Sequence, residues 1–528
     1  MKQMGITKKI IIVAAPNVQE NFKQQLFDER KMEKIGGVWS IAGCSGKNFL
    51  DEINPINLKG LTKEKIVRQV ERLIKGFYLF MGYGEFANFI SKRSNTPEEM
   101  SDENREILKG RKLRDTFENR MIIIDEVHNI RSSDNKKEKR VASKLDELIK
   151  YVHPLRLVLL TATPMYNDPR EIIWLINLMN KNDGRSTLTS KEIFDKNGNF
   201  IIDDRGEEIG KQLFMRKSRG YISFVKGDNP YTFPYRIFPH DFKAIESLKN
   251  HRYPEYTLLG GAIAQGMEYM DLFCVEMGPY QSSVYQYIID TLKEKQVDTS
   301  KLAPEMMERF GYTILQKPLE ALNMTYPCAD AAEMKEIGMS GIVGIEGLER
   351  VMKFHKNKTQ YQYKPKILEK YGRIFAQNHI EKYSIKLKKI TKSIVGGEGI
   401  SLVYSQFLDG GAVPLALALE EMGCDRYGAP NLLKEPPKKK LNITYTMITG
   451  NEDLSPNNAL SVKIASDRNN IDGDDIKIII ISRAGSEGLD FANIRQVHIL
   501  EPWYNTHRIA QTIARAIRSC SHKFFPFG

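Results

Sequence analysis

Met121-Ile122-Ile123-Ile124-Asp125-Glu126-Val127-His128 decides how this chain reads. Four apolar residues, three of them β-branched, stop at two carboxylates and a histidine. So short and uniformly apolar a run suits a parallel strand covered on both faces. The carboxyl end of such a strand is where ligands bind in an open α/β sheet. There Asp125 can hold Mg²⁺ through water, because Mg²⁺ keeps several waters and takes few protein oxygens. Glu126 can orient and deprotonate an attacking water. The same residues also read as a strand leading into an ordinary helix start with acids in its first turn. The neighbouring sequence has to choose.

A second apolar run, Leu155 to Leu160, ends in Thr161-Ala162-Thr163-Pro164-Met165. Hydroxyls at that strand end can hydrogen-bond the carboxylates beside them and sense their state. A third run, Ile10 to Ala15, precedes both. Helical patterns over Val18 to Phe27, Thr62 to Lys75 and Ala142 to Tyr151 separate the runs, so βαβ units and a doubly wound sheet follow. Residues 91 to 118 are polar and read as a surface loop or lid-like insertion. From about residue 185 to 365 apolar strands disappear, and a mainly helical insertion with an extended arm is expected. The βα pattern resumes near residue 366, with strands at Ile400 to Tyr404, Leu441 to Ile448, Ile476 to Ile481 and Val497 to Leu500. The expected division is 1–184, 185–365 and 366–528.

The chain has 528 residues, enough for about two to four domains. No apolar run approaches the ~18 residues of a membrane span, and the apolar stretch near the N-terminus is too short for a secretion signal. Cys44, Cys274, Cys328, Cys424 and Cys520 form no CxxC pair, which argues against a disulfide framework or a zinc site. Lys and Arg number 78 against 66 Asp and Glu, a formal charge of +12. That surplus suits a polyanion such as nucleic acid, or equally a surplus spread evenly for solubility. Lys386, Lys388, Lys389 and the run Lys438 to Lys440 offer backbone contacts or simply a solvated face.

The later half adds its own chemistry. Ser482-Arg483-Ala484-Gly485-Ser486-Glu487-Gly488-Leu489-Asp490-Phe491 follows the strand at Ile476 to Ile481. Gly485 and Gly488 permit close backbone approach, and Ser486 and Asp490 offer contacts to a sugar-phosphate and to arginines. In Gln511-Thr512-Ile513-Ala514-Arg515-Ala516-Ile517-Arg518 the two arginines lie three apart, so a helix projects them from one face. Their guanidinium forks suit the phosphates of ATP and the charge of a phosphoryl-transfer transition state. A solvated basic helix is the plain alternative.

Asp125-Glu126-Val127-His128 followed by Thr161-Ala162-Thr163 resembles motifs II and III of superfamily 2 helicases, a DEAH-like box, nearest to the chromatin-remodeller-type translocases. Val13 to Pro16 resembles motif Ia, Ile400 to Phe407 motif IV, Ser482 to Phe491 motif V and Gln511 to Arg518 motif VI, with Ala514 in place of the usual glycine. Residues 216 to 239 and Arg515 to His522 resemble the helicase subunits of large cytoplasmic DNA viruses, such as the poxvirus early transcription factor small subunit and its related nucleoside triphosphatase. The resemblance implies an α/β fold of two RecA-like doubly wound lobes that close on ATP and Mg²⁺. It implies hydrolysis by Asp125, Glu126, Arg515 and Arg518, and nucleotide contacts from His128, Gln511, Gly488 and Asp490. Coupling to nucleic acid falls to Pro16, Thr161, Thr163, Ser405, Ser482 and Ser486. DNA is the implied substrate and viral transcription the setting. A viral RNA polymerase or second transcription-factor subunit is the implied partner, and the virion and host cytoplasm the implied location.

One expected part is absent from the sequence. No G-x-x-x-x-G-K-[ST] occurs; Gly43 to Asn48 carries Gly-Lys, but Asn48 replaces the hydroxyl residue and Ile41 the first glycine. Without nested N–H groups and the lysine, the β- and γ-phosphates lose their cradle. The expectation is a first lobe incomplete before motif Ia, a fragment or one product of a split gene whose partner supplies the loop, with little hydrolysis by this chain alone. The second expectation is a catalytically silent subunit of the same fold that binds nucleic acid or polymerase.

Overall fold

The computed structural model describes residues 5–41, 46–56, 59–97, 99–130, 136–165, 169–196, 198–224, 233–251, 253–256, 262–263, 271–294, 304–355, 359–483, 489, 491–502, 506–518 and 520–525. The chain divides into two compact units, Met1–Val225 and Lys226–Gly528.

In the first unit, β1 (Ile10–Val13), β4 (Tyr78–Met81), β5 (Met121–Ile124) and β6 (Arg156–Leu159) form a wholly parallel sheet in the order β4-β1-β5-β6. Between β1 and β4 lies an antiparallel hairpin of β2 (Met32–Ile35) and β3 (Val38–Ile41). The alternation of side chains separates two packed faces. Ile11, Val13, Ile122 and Ile124 bury against helices Tyr83–Ser94, Asp102–Phe117 and Lys136–Tyr151. Ile10, Ile12 and Ile123 face Phe22 and Phe80 on the other side. β6 is one of the two edge strands, and Val158 within it and Leu160 just after it stay 36% and 37% exposed.

The stretch expected as a loop, 91 to 118, is instead largely helical. Helix Asp102–Phe117 starts at Ser101, whose hydroxyl accepts from the Asn104 N–H. It buries Gly110, Leu113 and Phe117, a stripe narrow enough to be lost in a polar sequence. β4 follows helix Lys63–Phe77 directly, with Gly76 in its last turn; the sequence reading ended the helical pattern at Lys75 and named no strand after it.

In the second unit, helices Pro279–Glu294, Pro304–Asn323, Ala331–Gly341 and Gly344–Val351 precede an antiparallel hairpin of β7 (Met352–His355) and β8 (Gln360–Tyr363). A second wholly parallel sheet then has the order β10-β11-β12-β9-β13. Its strands are β9 (Ile400–Ser405), β10 (Asp425–Arg426), β11 (Thr444–Ile448), β12 (Ile478–Ser482) and β13 (Ile494–Ile499). All five residues of β12 and all six of β9 are buried, as parallel strands covered on both faces should be. Val403, Tyr445, Ile478 and Ile480 pack into one core; Leu402, Ile448, Ile479 and Ile481 pack into the other.

Helix Val413–Met422 places Glu420 inside the first of these cores. Its carboxylate accepts from the Tyr445 hydroxyl at 2.6 Å and from the Leu432 and Leu433 N–H groups at 2.7 and 2.6 Å. Burial outweighs those donors and pushes the Glu420 carboxyl up to about 7. A carboxyl whose folded pKa is raised contributes stability that is full below its unfolded pKa and is lost as pH rises through the folded one. Urea unfolding at pH 5 and pH 8 should therefore show wild type losing about 2–3 kcal/mol relative to Glu420→Gln over that interval. Equal pH dependence of the two proteins would contradict the assignment.

Candidate functional site

Three backbone hydrogen bonds set the end of β5. The Asp125 N–H donates to the Val13 carbonyl at 2.9 Å, the Leu160 N–H to Ile124 at 2.8 Å, and the Val127 N–H to Leu160 at 3.0 Å. They hold the turn between the ends of β1 and β6. Asp125 is half-buried, and burial raises its carboxyl above the usual range. The Tyr83 hydroxyl donates to the Asp125 carbonyl at 2.9 Å and ties the turn to helix Tyr83–Ser94. Glu126 sits at φ +45°, a left-handed backbone that costs a non-glycine residue about 1–3 kcal/mol.

His128 connects the two ends of this site. Its Nδ1 lies 3.3 Å from Glu126 Oε2, 3.0 Å from Thr161 Oγ1 and 3.4 Å from Thr163 Oγ1. Thr161 Oγ1 also accepts from the Thr163 N–H at 3.1 Å. Direct bonds from the threonines to the carboxylates were expected; these hydroxyls meet His128 instead, and the imidazole stands between them and Glu126. Pro16 is exposed at the first position of helix Pro16–Leu26, after β1. Asp125 and Glu126 fit Mg²⁺ held largely through water: Asp125 is a desolvated carboxylate that a cation would stabilise, and Mg²⁺ asks for only one or two such groups.

Gly46, within the Gly-Lys stretch, lies at φ +89° and opens the short helix Lys47–Ile53 after the antiparallel strand β3. A Cβ there would meet Ile41 at 2.8 Å. This glycine serves a tight local turn; a phosphate loop would follow a parallel strand.

The second unit carries the other predicted residues. Ser405 and Ser482 are buried and directly paired at the ends of β9 and β12. Ser486, Gly488 and Asp490 lie outside the described residues. Helix Thr506–Ile513 contains Gln511 but stops before the arginines, which corrects the expectation that Arg515 and Arg518 share a helical face. Arg515 sits in the turn that follows. Its N–H donates to Thr512, its carbonyl accepts from the Phe491 N–H at 3.1 Å, and Nη1 donates to the Leu489 carbonyl at 3.3 Å. Arg518 is exposed, and its carbonyl accepts from the Ser521 N–H. The arginine turn is thus fastened to the segment after β12 by backbone as well as side chain.

Sequence reading missed what holds these parts together. Glu501, buried after β13, accepts from the Ser405 hydroxyl and the Gln406 N–H, each at 2.8 Å, and from Asn323 Nδ2. Lys386, expected as a nucleic-acid contact or solvated side chain, turns its ammonium inward to Asn323 Oδ1 at 2.9 Å and the Leu500 carbonyl at 2.8 Å. Burial lowers Lys386 to about 8 and raises the Glu501 carboxyl. Gln406 Oε1 accepts from Arg508 Nη1 at 2.9 Å, so the end of β9 reaches helix Thr506–Ile513. A bulkier residue at Gly411 would strike Ser405 Oγ at 2.1 Å.

Residues 47–219 match the SNF2-related domain, and residues 431–520 match the helicase conserved C-terminal domain. With two parallel α/β sheets, the first ending in Asp-Glu beside Thr-Ala-Thr, these domain matches make the chain similar to superfamily 2 helicases and translocases. Several proteins similar to it are viral. A protein of Acanthamoeba polyphaga mimivirus, named as an ATP-dependent RNA helicase, is 24% identical across 98% of this chain and 71% of its own length. A protein named as a helicase of Invertebrate iridescent virus 3 is 24% identical across 98% of this chain and 44% of its own. A termination factor NPH-I homolog of African swine fever virus is 24% identical across 77% of this chain and 54% of its own length. The chain thus spans about half the length of the second and third.

Removing the Glu501 carboxylate leaves Lys386 and the Gln406 N–H buried without it. Glu501→Ala should cost the second unit about 3 kcal/mol or more in urea unfolding. Glu501→Gln, which sets an amide N–H₂ against a donor, should cost about 1–3 kcal/mol. Unchanged midpoints would show that the cluster bears no load.

Proposed function

We propose that the chain is the motor part of an ATP-dependent DNA translocase or helicase acting in viral early transcription, in the virion and host cytoplasm. The observation that carries this reading is the end of β5. There a desolvated Asp125 and a strained Glu126 share one turn with His128, and His128 touches the hydroxyls of Thr161 and Thr163. Glu126 accepts a proton from the attacking water. His128 passes its state to the threonines, whose strand end moves against nucleic acid with Pro16. When bound, Mg²⁺ would neutralise charge on the phosphates. Arg515 and Arg518 stabilise the transferring phosphoryl group, and Gln511 and the residues around Gly488 and Asp490 complete nucleotide binding. Ser486 contacts the strand backbone, while the buried Ser405 and Ser482 fix the ends of β9 and β12, and lobe closure on ATP moves the contact in steps. The protein partners in this reading are a viral RNA polymerase or a second transcription-factor subunit. No helix among the described residues is long and apolar enough to cross a membrane.

The second reading, a silent subunit that binds nucleic acid or polymerase, is favoured by one observation: the sequence holds no G-x-x-x-x-G-K-[ST]. A partner chain bearing that loop reconciles the two. Purified alone, this chain should hydrolyse ATP at a rate that DNA barely stimulates. Supplied with the loop in a longer version or by a partner, Glu126→Gln and Arg515→Ala should each cut turnover at least about 100-fold, while Glu126→Gln keeps nucleotide binding. Near-normal turnover by either variant would overturn the assigned roles.

A further inference from the structure

Away from both strand ends, the second unit holds a cavity of about 830 Å³ that the motor reading does not use. Its walls come from the start of helix Pro279–Glu294, the turn after helix Pro365–Tyr371 and the short helix Ile380–Tyr383. The volume lies within the range of about 300–1,000 Å³ usual for small-molecule sites. Gly372, at φ +71°, makes the turn that brings His379 to the wall; a Cβ there would meet the imidazole at 3.2 Å.

The lining is aromatic and cationic at once. Lys382 Nζ lies 5.4 Å from the Tyr280 ring centroid and 5.7 Å from that of Tyr383, and Lys370 Nζ lies 5.2 Å from that of Tyr371. Two carboxylates also line it. Glu381 is taken up by Lys388, and Glu369 is exposed. A cationic guest is disfavoured, because Lys370 and Lys382 already set two positive charges on the wall. Lys370 also meets the Tyr371 hydroxyl, and a purely apolar guest would offer neither ammonium group an anion. A ligand with a flat aromatic part and an anionic part satisfies rings and ammonium groups together.

We propose that this cavity binds a nucleotide unit, the base stacking on Tyr371 and the phosphate held between Lys370 and Lys382. The unit is either a free mononucleotide or one residue of a single strand. The site asks nothing of ATP hydrolysis, so it stands apart from the motor reading.

The test titrates AMP, a fluorescein-labelled single-stranded oligoadenylate and a duplex of matched length into the whole chain. Tyr371→Leu, which keeps apolar bulk, and the pair Lys370→Glu with Lys382→Glu should each weaken binding at least about five-fold for the strand, for AMP, or for both, and leave duplex affinity within two-fold. Loss for AMP identifies a free-nucleotide site, and loss for the strand alone identifies a strand site. Reversing Lys438 and Lys439 instead should weaken strand and duplex alike if it acts at all. The proposal is overturned if variants with wild-type melting bind AMP and strand as wild type does, or lose strand and duplex in equal measure. Absence of duplex binding by wild type itself would count against the motor reading and leave this site untouched.

Discussion

The parallel pairing of β5 with β1 on one side and β6 on the other is the constraint on which the rest depends. It brings three strand ends level, so that Asp125, Glu126 and the threonines after β6 emerge at one edge. Parallel strands reach that arrangement only through crossovers, and the helices supplying them bury Ile122 and Ile124 from one side. Had β5 slipped by one residue, the isoleucines that face the helices would change sides. The register that builds the core is therefore also the register that presents the carboxylates.

The second unit solves its own positioning problem with buried polar groups. Glu501 and Lys386 share Asn323, and through Ser405 and Gln406 they fix the end of β9 relative to the segment entering helix Thr506–Ile513. Charges so deeply placed gain little net stability over apolar packing. They do specify one arrangement, because Lys386 meets both Asn323 and the Leu500 carbonyl while Glu501 takes up Ser405, Gln406 and Asn323. The insertion helix Pro304–Asn323 contributes Asn323 and so shares in setting the geometry of the sheet end.

Much of this was legible in the sequence. The strands β1, β5, β6, β9, β11, β12 and β13 announced themselves as apolar runs, since strands covered on both faces need no polar alternation. Tyr78 to Met81 was hidden because helix passes directly into a strand of only four residues, and Asp102 to Phe117 because its buried stripe is too thin to show among charged residues. The carboxylates and threonines were named from their places at strand ends. The left-handed Glu126 and the mediating position of His128 were not, since both arise from contacts between segments distant in sequence. Ala514 to Ile517 has the composition of a helix, yet the chain turns there, because the Arg515 carbonyl and guanidinium are both engaged near Leu489 and Phe491. Tertiary hydrogen bonds overrode local propensity. Glu501 and Lys386 gave no signal at all, because a buried charge is recognised only by its partners.

In the proposed function, the carboxylates after β5 and the arginines after helix Thr506–Ile513 serve one metal-bound triphosphate. With the phosphate loop supplied and Fe²⁺ in place of Mg²⁺, hydroxyl radicals made at the metal cut the backbone nearest to it, and the cuts can be mapped by mass spectrometry. Cleavage is expected beside Asp125 and Glu126, joined by cleavage near Arg515 only when ATP is present. Cuts confined to other segments, or cuts near Arg515 that ignore ATP, would contradict it.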